Sequence, residues 1–78
     1  MVDRAEQLLM DLGFRQYRVR IHGNLARIEL LPEDLQKAAE EEIRGIIASK
    51  LKEYGFSYVT LDLAGYRTGS MNEGLRPL

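Results

Sequence analysis

The stretch that decides the fold is FRQYRVRIHGNLARIEL, residues 14–30. Apolar and polar side chains alternate on both sides of Gly23-Asn24, a pattern typical of two strands joined by a two-residue hairpin turn. The predicted pairs, from the turn outward, are His22 with Leu25, Ile21 with Ala26, Arg20 with Arg27, Val19 with Ile28, Arg18 with Glu29 and Tyr17 with Leu30. In this register the apolar residues share one face of the hairpin, and three arginines share the other face.

Helical patterns flank the hairpin on both sides. Before it, apolar residues recur at helical spacing from a predicted N-cap at Asp3 to a predicted C-terminal glycine at Gly13. After it, Pro32 suits a first helical turn and Gly55 suits a helix end, with apolar residues at helical spacing between them. This second span is either one helix or two helices broken near residues 38–40.

A third strand is predicted at Tyr58–Leu63, with Val59, Leu61 and Leu63 on the core face. The element order α-β-β-α-β predicts an α+β, two-layer sandwich with helices on one face of a three-stranded, mainly antiparallel sheet. We expect the first strand in the middle, an arrangement close to a ferredoxin-like fold that lacks one strand. The predicted domain spans residues 1–65, and residues 66–78 form a predicted glycine-rich tail.

Composition narrows the classes of protein to which the chain can belong. It has 78 residues, 11 Lys and Arg against 12 Asp and Glu, and no cysteine. Its length suits one small domain, and the absence of cysteine excludes disulfides and thiolate chemistry. The pI of about 5.8 argues against a nucleic-acid partner, and no apolar run is long enough to span a membrane. We therefore expect a cytoplasmic domain.

Two interpretations of the arginine-bearing face follow from the pattern alone. Arg20 opposite Arg27 places like charges side by side, which a bound phosphate or carboxylate would relieve, and Arg18 lies on the same face. Alternatively the face is only solvated, with surface ion pairs between Arg18 and Glu29 and between Arg20 and Asp62. The first interpretation makes Arg18, Arg20, Arg27 and the neighbouring His22 candidate phosphate- or substrate-binding residues.

The sequence offers little evidence for a metal site, a cofactor or a catalytic residue. The chain has a single histidine and no pair of histidines at metal-ligand spacing, so no metal site and no cofactor are predicted. Ser70 has no Gly-x-Ser-x-Gly context, and no nucleophile–base pair is visible, so we expect no enzyme activity from this chain alone. The predicted tail offers Arg67, Ser70 and Asn72 as candidate contacts to a ligand or partner.

Three motifs carry a resemblance to a known family. They are RVRIHGNLARIE at 18–29, VDRAEQLLMDLGFRQ at 2–16 and YVTLDLAGYRTGSMNE at 58–73. Together they resemble the C-terminal domain of the ATP-dependent sacrificial sulfur transferases of nickel-pincer cofactor biosynthesis. Those proteins belong to the ATP-pyrophosphatase (PP-loop) superfamily.

The resemblance implies a fold, an activity and a division of labour. In that family an N-terminal domain with a phosphate loop adenylates a carboxylate, and a cysteine then gives up its sulfur. The C-terminal domain contributes basic residues to phosphate binding, to which Arg18 and Arg20 correspond, and helps to build an oligomer. This chain has neither the loop nor the cysteine. The implied role is therefore non-catalytic anion binding and homo-oligomerisation, beside a separate PP-loop catalytic subunit and a phosphorylated small molecule.

Alternative functions stay open at this point. An ACT-like regulatory or protein-interaction module would share the arrangement of strands and helices, although that argument rests on fold analogy alone. It predicts ligand binding at a dimer interface rather than on the arginine face. A single-stranded RNA binder would need exposed aromatic residues on the open sheet face, where only Tyr58 is predicted.

Overall fold

The computed structural model describes residues 2–66, and its order of elements agrees with the sequence pattern. It contains three α-helices, one 3₁₀ turn and three strands. The elements are α1 (Val2–Asp11), β1 (Tyr17–His22), β2 (Leu25–Leu30), a 3₁₀ turn (Pro32–Asp34), α2 (Leu35–Ala39), α3 (Glu41–Glu53) and β3 (Tyr58–Leu61). The α+β class is confirmed, and the second helical span is two helices that meet at Glu40.

The hairpin register is confirmed at every predicted pair of β1 and β2. Val19, Ala26, Ile28 and Leu30 lie buried on one face, where they join residues of the helices and loops. The rest of the buried core is Ala5, Leu9, Phe14, Ala38, Ile47, Leu51 and Phe56. A one-residue slip would expose these strand residues and bury the arginines, so the hydrophobic effect selects the observed register.

The order of the strands differs from the prediction. The first strand is not central; β2 lies in the middle, between β1 and β3. The pair β2–β3 is parallel, so the sheet is mixed. A long helical connection between β2 and β3 returns the chain to the same end of the sheet, as parallel pairing requires. At the outer edge of β1, the Glu6 carboxylate of α1 accepts a hydrogen bond from the Val19 amide at 3.2 Å.

The two helices that precede strands, α1 and α3, each end close to a glycine, as predicted. Gly13 and Gly55 have positive φ angles of 97° and 113°. The start of α1 differs slightly, since Asp3 lies in its first turn and Val2 is already helical. The Lys37 side chain of α2 contacts the C-terminal end of α1, where its Nζ donates a hydrogen bond to the Leu12 carbonyl at 3.0 Å.

The third strand is shorter than predicted and ends at Leu61. Asp62 starts a turn instead, because its Oδ1 accepts a hydrogen bond from the Ala64 amide at 2.9 Å. Leu63 is consequently 84% exposed rather than part of the core face. Beyond this turn the Tyr66 amide donates to the Leu30 carbonyl, which brings the chain back beside the end of β2.

Gly65 makes that return possible. Its φ is +83°, and a Cβ atom at this position would lie 2.8 Å from the Leu30 carbonyl oxygen. Any other residue would be strained and would collide with backbone. Tyr66 is the only residue of the predicted tail that the structure describes, and Arg67, Ser70 and Asn72 lie outside the described residues.

Candidate functional site

The sheet face opposite the helices presents three rows of side chains across the strands. The first row is Arg18–Glu29–Asp62. Asp62 lies just beyond β3, and its amide donates a hydrogen bond to the Ile28 carbonyl of β2. The second and third rows are Arg20–Arg27–Thr60 and His22–Leu25–Tyr58. We call this surface the arginine face.

The structure brings the three predicted arginines onto this one face. Their ion pairs differ from the predicted Arg18–Glu29 and Arg20–Asp62 pairs. Glu29 lies between the opposed arginines, with its Oε2 3.5 Å from Arg20 Nε and 3.1 Å from Arg27 Nη2. The like-charge repulsion between Arg20 and Arg27 is therefore already offset within the protein, and a bound anion is not needed to relieve it.

Arg27 is held from two sides. Besides contacting Glu29, its Nε lies 3.8 Å from Asp62 Oδ2. That Nε atom is buried, and 3.8 Å is an ion-pair distance too long for a hydrogen bond. The same Asp62 orders the turn after β3 through its other carboxylate oxygen. Arg27 thus has a structural role within the face, joining β2 to the turn that follows β3.

Arg18 is in a different situation from the other two arginines. Its side chain is exposed, and among residues 2–66 the ion pairs of this face involve Arg20 and Arg27 but not Arg18. Its guanidinium carbon lies 5.8 Å from the centre of the Tyr66 ring. Hydrogen bonding with the Tyr66 side chain is the main cause that raises the pKa of Arg18 above its ordinary value. Like other arginines, Arg18 carries a permanent positive charge.

His22 lies at the far end of the arginine face from Arg18. It is exposed beside the hairpin turn and opposite Leu25, with the Arg20 row between it and Arg18. As a candidate binding residue, His22 therefore lies at the margin of the arginine face and not at its centre.

Two contacts of this region escaped the sequence reasoning. Glu6 contacts the edge of β1 from a helix that is remote from the hairpin pattern. The second is the position of Glu29 between two arginines, because strand alternation reports which face a residue occupies but not which neighbour its side chain contacts. Among residues 2–66, no group of three or more His, Asp or Glu side chains is placed to hold a metal ion. In that same part of the chain, every helix is too short or too polar to cross a membrane.

Comparisons with known proteins place the chain beside two longer relatives. It is 47% identical over 74 residues to an uncharacterised protein of Synechocystis, covering 95% of this chain and 28% of that protein. It is also 44% identical over 71 residues to the pyridinium-3,5-bisthiocarboxylic acid mononucleotide synthase of Lactiplantibacillus plantarum, covering 91% of this chain and 25% of the synthase. No protein-family model matches the chain.

The second match confirms the coarser part of the predicted resemblance, a likeness to a synthase of a bisthiocarboxylated mononucleotide. The aligned segments include nearly all of the described fold. The chain spans only about a quarter of the length of these relatives, with 28% of one and 25% of the other covered. The likeness therefore concerns a domain-sized part of each relative.

Proposed function

We propose that this chain is a non-catalytic domain that binds the phosphate group of a small molecule on its arginine face. It would act in the cytoplasm, beside a separate PP-loop catalytic domain or subunit of a sulfur transferase, and would self-associate. The match to the mononucleotide synthase supports this class of ligand, because a mononucleotide carries a phosphate group. The resemblance noted in the sequence supports the division between binding and catalysis.

The observation that carries the proposal is the state of Arg18. Within residues 2–66, the ion pairs of the face join Arg20 and Arg27 to the carboxylates of Glu29 and Asp62. Arg18 is exposed and lies outside these ion pairs, and the Glu6 and Glu29 carboxylates act on it only at longer range. An exposed guanidinium that forms no ion pair within the described residues is well suited to accept a phosphate group.

Arg18 and Arg20 together form the proposed phosphate-binding pair. They alternate on β1, so their side chains leave the same face about 6–7 Å apart along the strand. Both guanidinium groups can therefore turn toward one phosphate placed between them. Arg20 is 51% exposed and its contact with Glu29 is long, at 3.5 Å, so this contact leaves donors free. Arg27 makes the shorter contact with Glu29, at 3.1 Å from its Nη2, and so would compete with Arg20 for that carboxylate.

The shape of the surface supports a site shared with another part of the protein. Within residues 2–66 the arginine face is one open side of a sheet, whereas small-molecule sites are usually concave and enclosed by several walls. The relatives have about three quarters of their length outside the matched segment. In the proposal, a catalytic domain or subunit supplies the remaining walls, and this chain supplies the phosphate anchor.

The test is a two-dimensional amide NMR titration with inorganic phosphate, AMP and nicotinate mononucleotide. We expect saturable shifts around Arg18 and Arg20. The double variant Arg18→Gln with Arg20→Gln should weaken phosphate-ester binding at least about tenfold, as expected for losing two charge-assisted contacts. The matched control, Arg15→Gln with Arg44→Gln, removes the same charge from other surfaces and should bind as the unmodified chain does. Equal binding by both double variants would refute the proposal.

A further inference from the structure

The two edges of the sheet are treated differently by the fold. On the outer edge of β1, the Val19 amide donates to the carboxylate of Glu6. At β3, the amides of Tyr58 and Asp62 donate inward to carbonyls of β2 and its turn, at 3.3 Å and 2.8 Å. Since alternate residues of a strand point their amides to opposite sides, those of Val59 and Leu61 point outward. Within residues 2–66 no strand pairs with this outer edge.

An apolar groove lies beside β3 on the helix side of the sheet. It has a volume of about 220 Å³ and lies between α3 and β3, with Arg44 and Thr60 at its polar margin. Its apolar lining includes Ile28, Ala38, Ile47, Ala48, Val59 and Leu61. An unpaired strand edge beside an apolar groove is a typical acceptor for an added strand.

We propose that a second copy of this chain occupies the edge, with β3 of one protomer antiparallel to β3 of its partner. A two-fold axis perpendicular to the sheet would then join the two sheets into one of six strands and set α3 antiparallel to its counterpart on the helix side. This inference deepens the self-association part of the proposed function, because it assigns the surface.

The charge pattern of α3 is what selects a second copy as the occupant. Glu41, Gly45, Ala48 and Lys52 follow one another at i, i+4, i+7 and i+11, so they share one stripe of the helix. Ala48 also lines the groove, and the other three residues of the stripe are exposed. Reversed by the two-fold axis, the stripe is complementary to itself: Glu41 of one protomer faces Lys52 of its partner, and Gly45 faces Ala48.

Gly45 is consistent with this arrangement. It is exposed in the interior of α3, and a Cβ atom there would meet nothing within 4 Å. Packing within residues 2–66 therefore does not require glycine at this position, although glycine stabilises a helix interior less than alanine does. Close approach of the partner's helix provides a physical reason for the absence of a side chain.

The experiment measures the mass of the full chain in solution by light scattering and sedimentation over a concentration series. We expect a dimer of twice 8.9 kDa. Lys52→Glu and Glu41→Lys should each weaken the dimer at least about tenfold, because each makes the facing stripes alike in charge. An equimolar mixture of the two variants should recover the dimer, since the acidic stripe then faces the basic one.

Matched controls separate this surface from general effects of charge and helix stability. Lys50→Glu makes the same charge change on another side of α3 and should leave the dimer intact. Gly45→Arg should dissociate the dimer while the circular dichroism of the chain remains folded. A monomeric full chain, equal weakening by Lys50→Glu and Lys52→Glu, or no recovery in the mixture would each overturn the proposal.

Amide hydrogen exchange identifies the occupant if the chain is monomeric. Protected Val59 and Leu61 amides in a monomer would place another part of the chain on the edge, and the proposal of a second copy would fail.

Phosphate titration of the same variants separates the two functions. The arginine face lies on the opposite side of the sheet, so Lys52→Glu should leave phosphate binding unchanged, whereas Arg18→Gln with Arg20→Gln should leave the dimer intact.

Discussion

Glu29→Gln is the most informative single change in the arginine face. The glutamate contacts Arg20 at 3.5 Å and Arg27 at 3.1 Å, and its own side chain is only 14% exposed. Glutamine keeps the volume and one oxygen acceptor but removes the charge. The two opposed arginines would then repel each other with no anion between them.

The expected size of the effect follows from the exposure of the partners. The arginine side chains are 51% and 40% exposed, so solvent screens both pairs, and each contributes about 0–1 kcal/mol. With the added repulsion, Glu29→Gln should lower the free energy of unfolding by about 1 kcal/mol. In a domain of this size that is a fall in Tm of about 4–8 °C. High salt should reduce the difference.

The same change should strengthen anion binding. Removing the internal carboxylate frees guanidinium donors of Arg20 and Arg27, and about 1 kcal/mol recovered by a bound phosphate corresponds to roughly fivefold tighter binding. Urea unfolding with and without phosphate measures both quantities. Glu33→Gln, an exposed acid on the 3₁₀ turn, is the matched control. If Glu29→Gln changes neither stability nor phosphate affinity more than the control does, the charge reasoning for this face is wrong.

Three further predictions concern stability and are each checked by urea unfolding. Gly65→Ala should lower the free energy of unfolding by at least about 1–2 kcal/mol, because the residue has φ +83° and its Cβ would meet a backbone carbonyl. Gly45→Ala, in open space, should instead raise it by about 0.5–1 kcal/mol under dilute, monomeric conditions. Equal effects of the two changes would contradict this explanation. Lys37→Met should cost about 1 kcal/mol through loss of its bond to the Leu12 carbonyl, so an unchanged midpoint would show that the contact is neutral. Phe56→Ala, at 2% exposure, should cost about 3–5 kcal/mol; a cost below 1 kcal/mol would argue against this core.

Part of the candidate site could be predicted because it depends on local periodicity. Alternation along β1 and β2 was sufficient to place Arg18, Arg20 and Arg27 on one face. It was not sufficient to choose their partners. Glu29 contacts Arg20 and Arg27 rather than Arg18, since side-chain reach across a sheet depends on rotamers and on the third strand, which brings Asp62 to Arg27.

The sequence alone determined the element order, the hairpin register and the helix ends at Gly13 and Gly55. Each of these depends on contacts between residues close in the chain or on a repeating pattern. Tertiary structure decided the order of the strands: β3 pairs in parallel with β2, which leaves β1 at the other edge of the sheet. It also decided that Leu63 is exposed, since the turn at Asp62 ends β3 before the apolar alternation does. The order of the strands and the end of β3 depend on long-range packing, which the local pattern of apolar residues does not report.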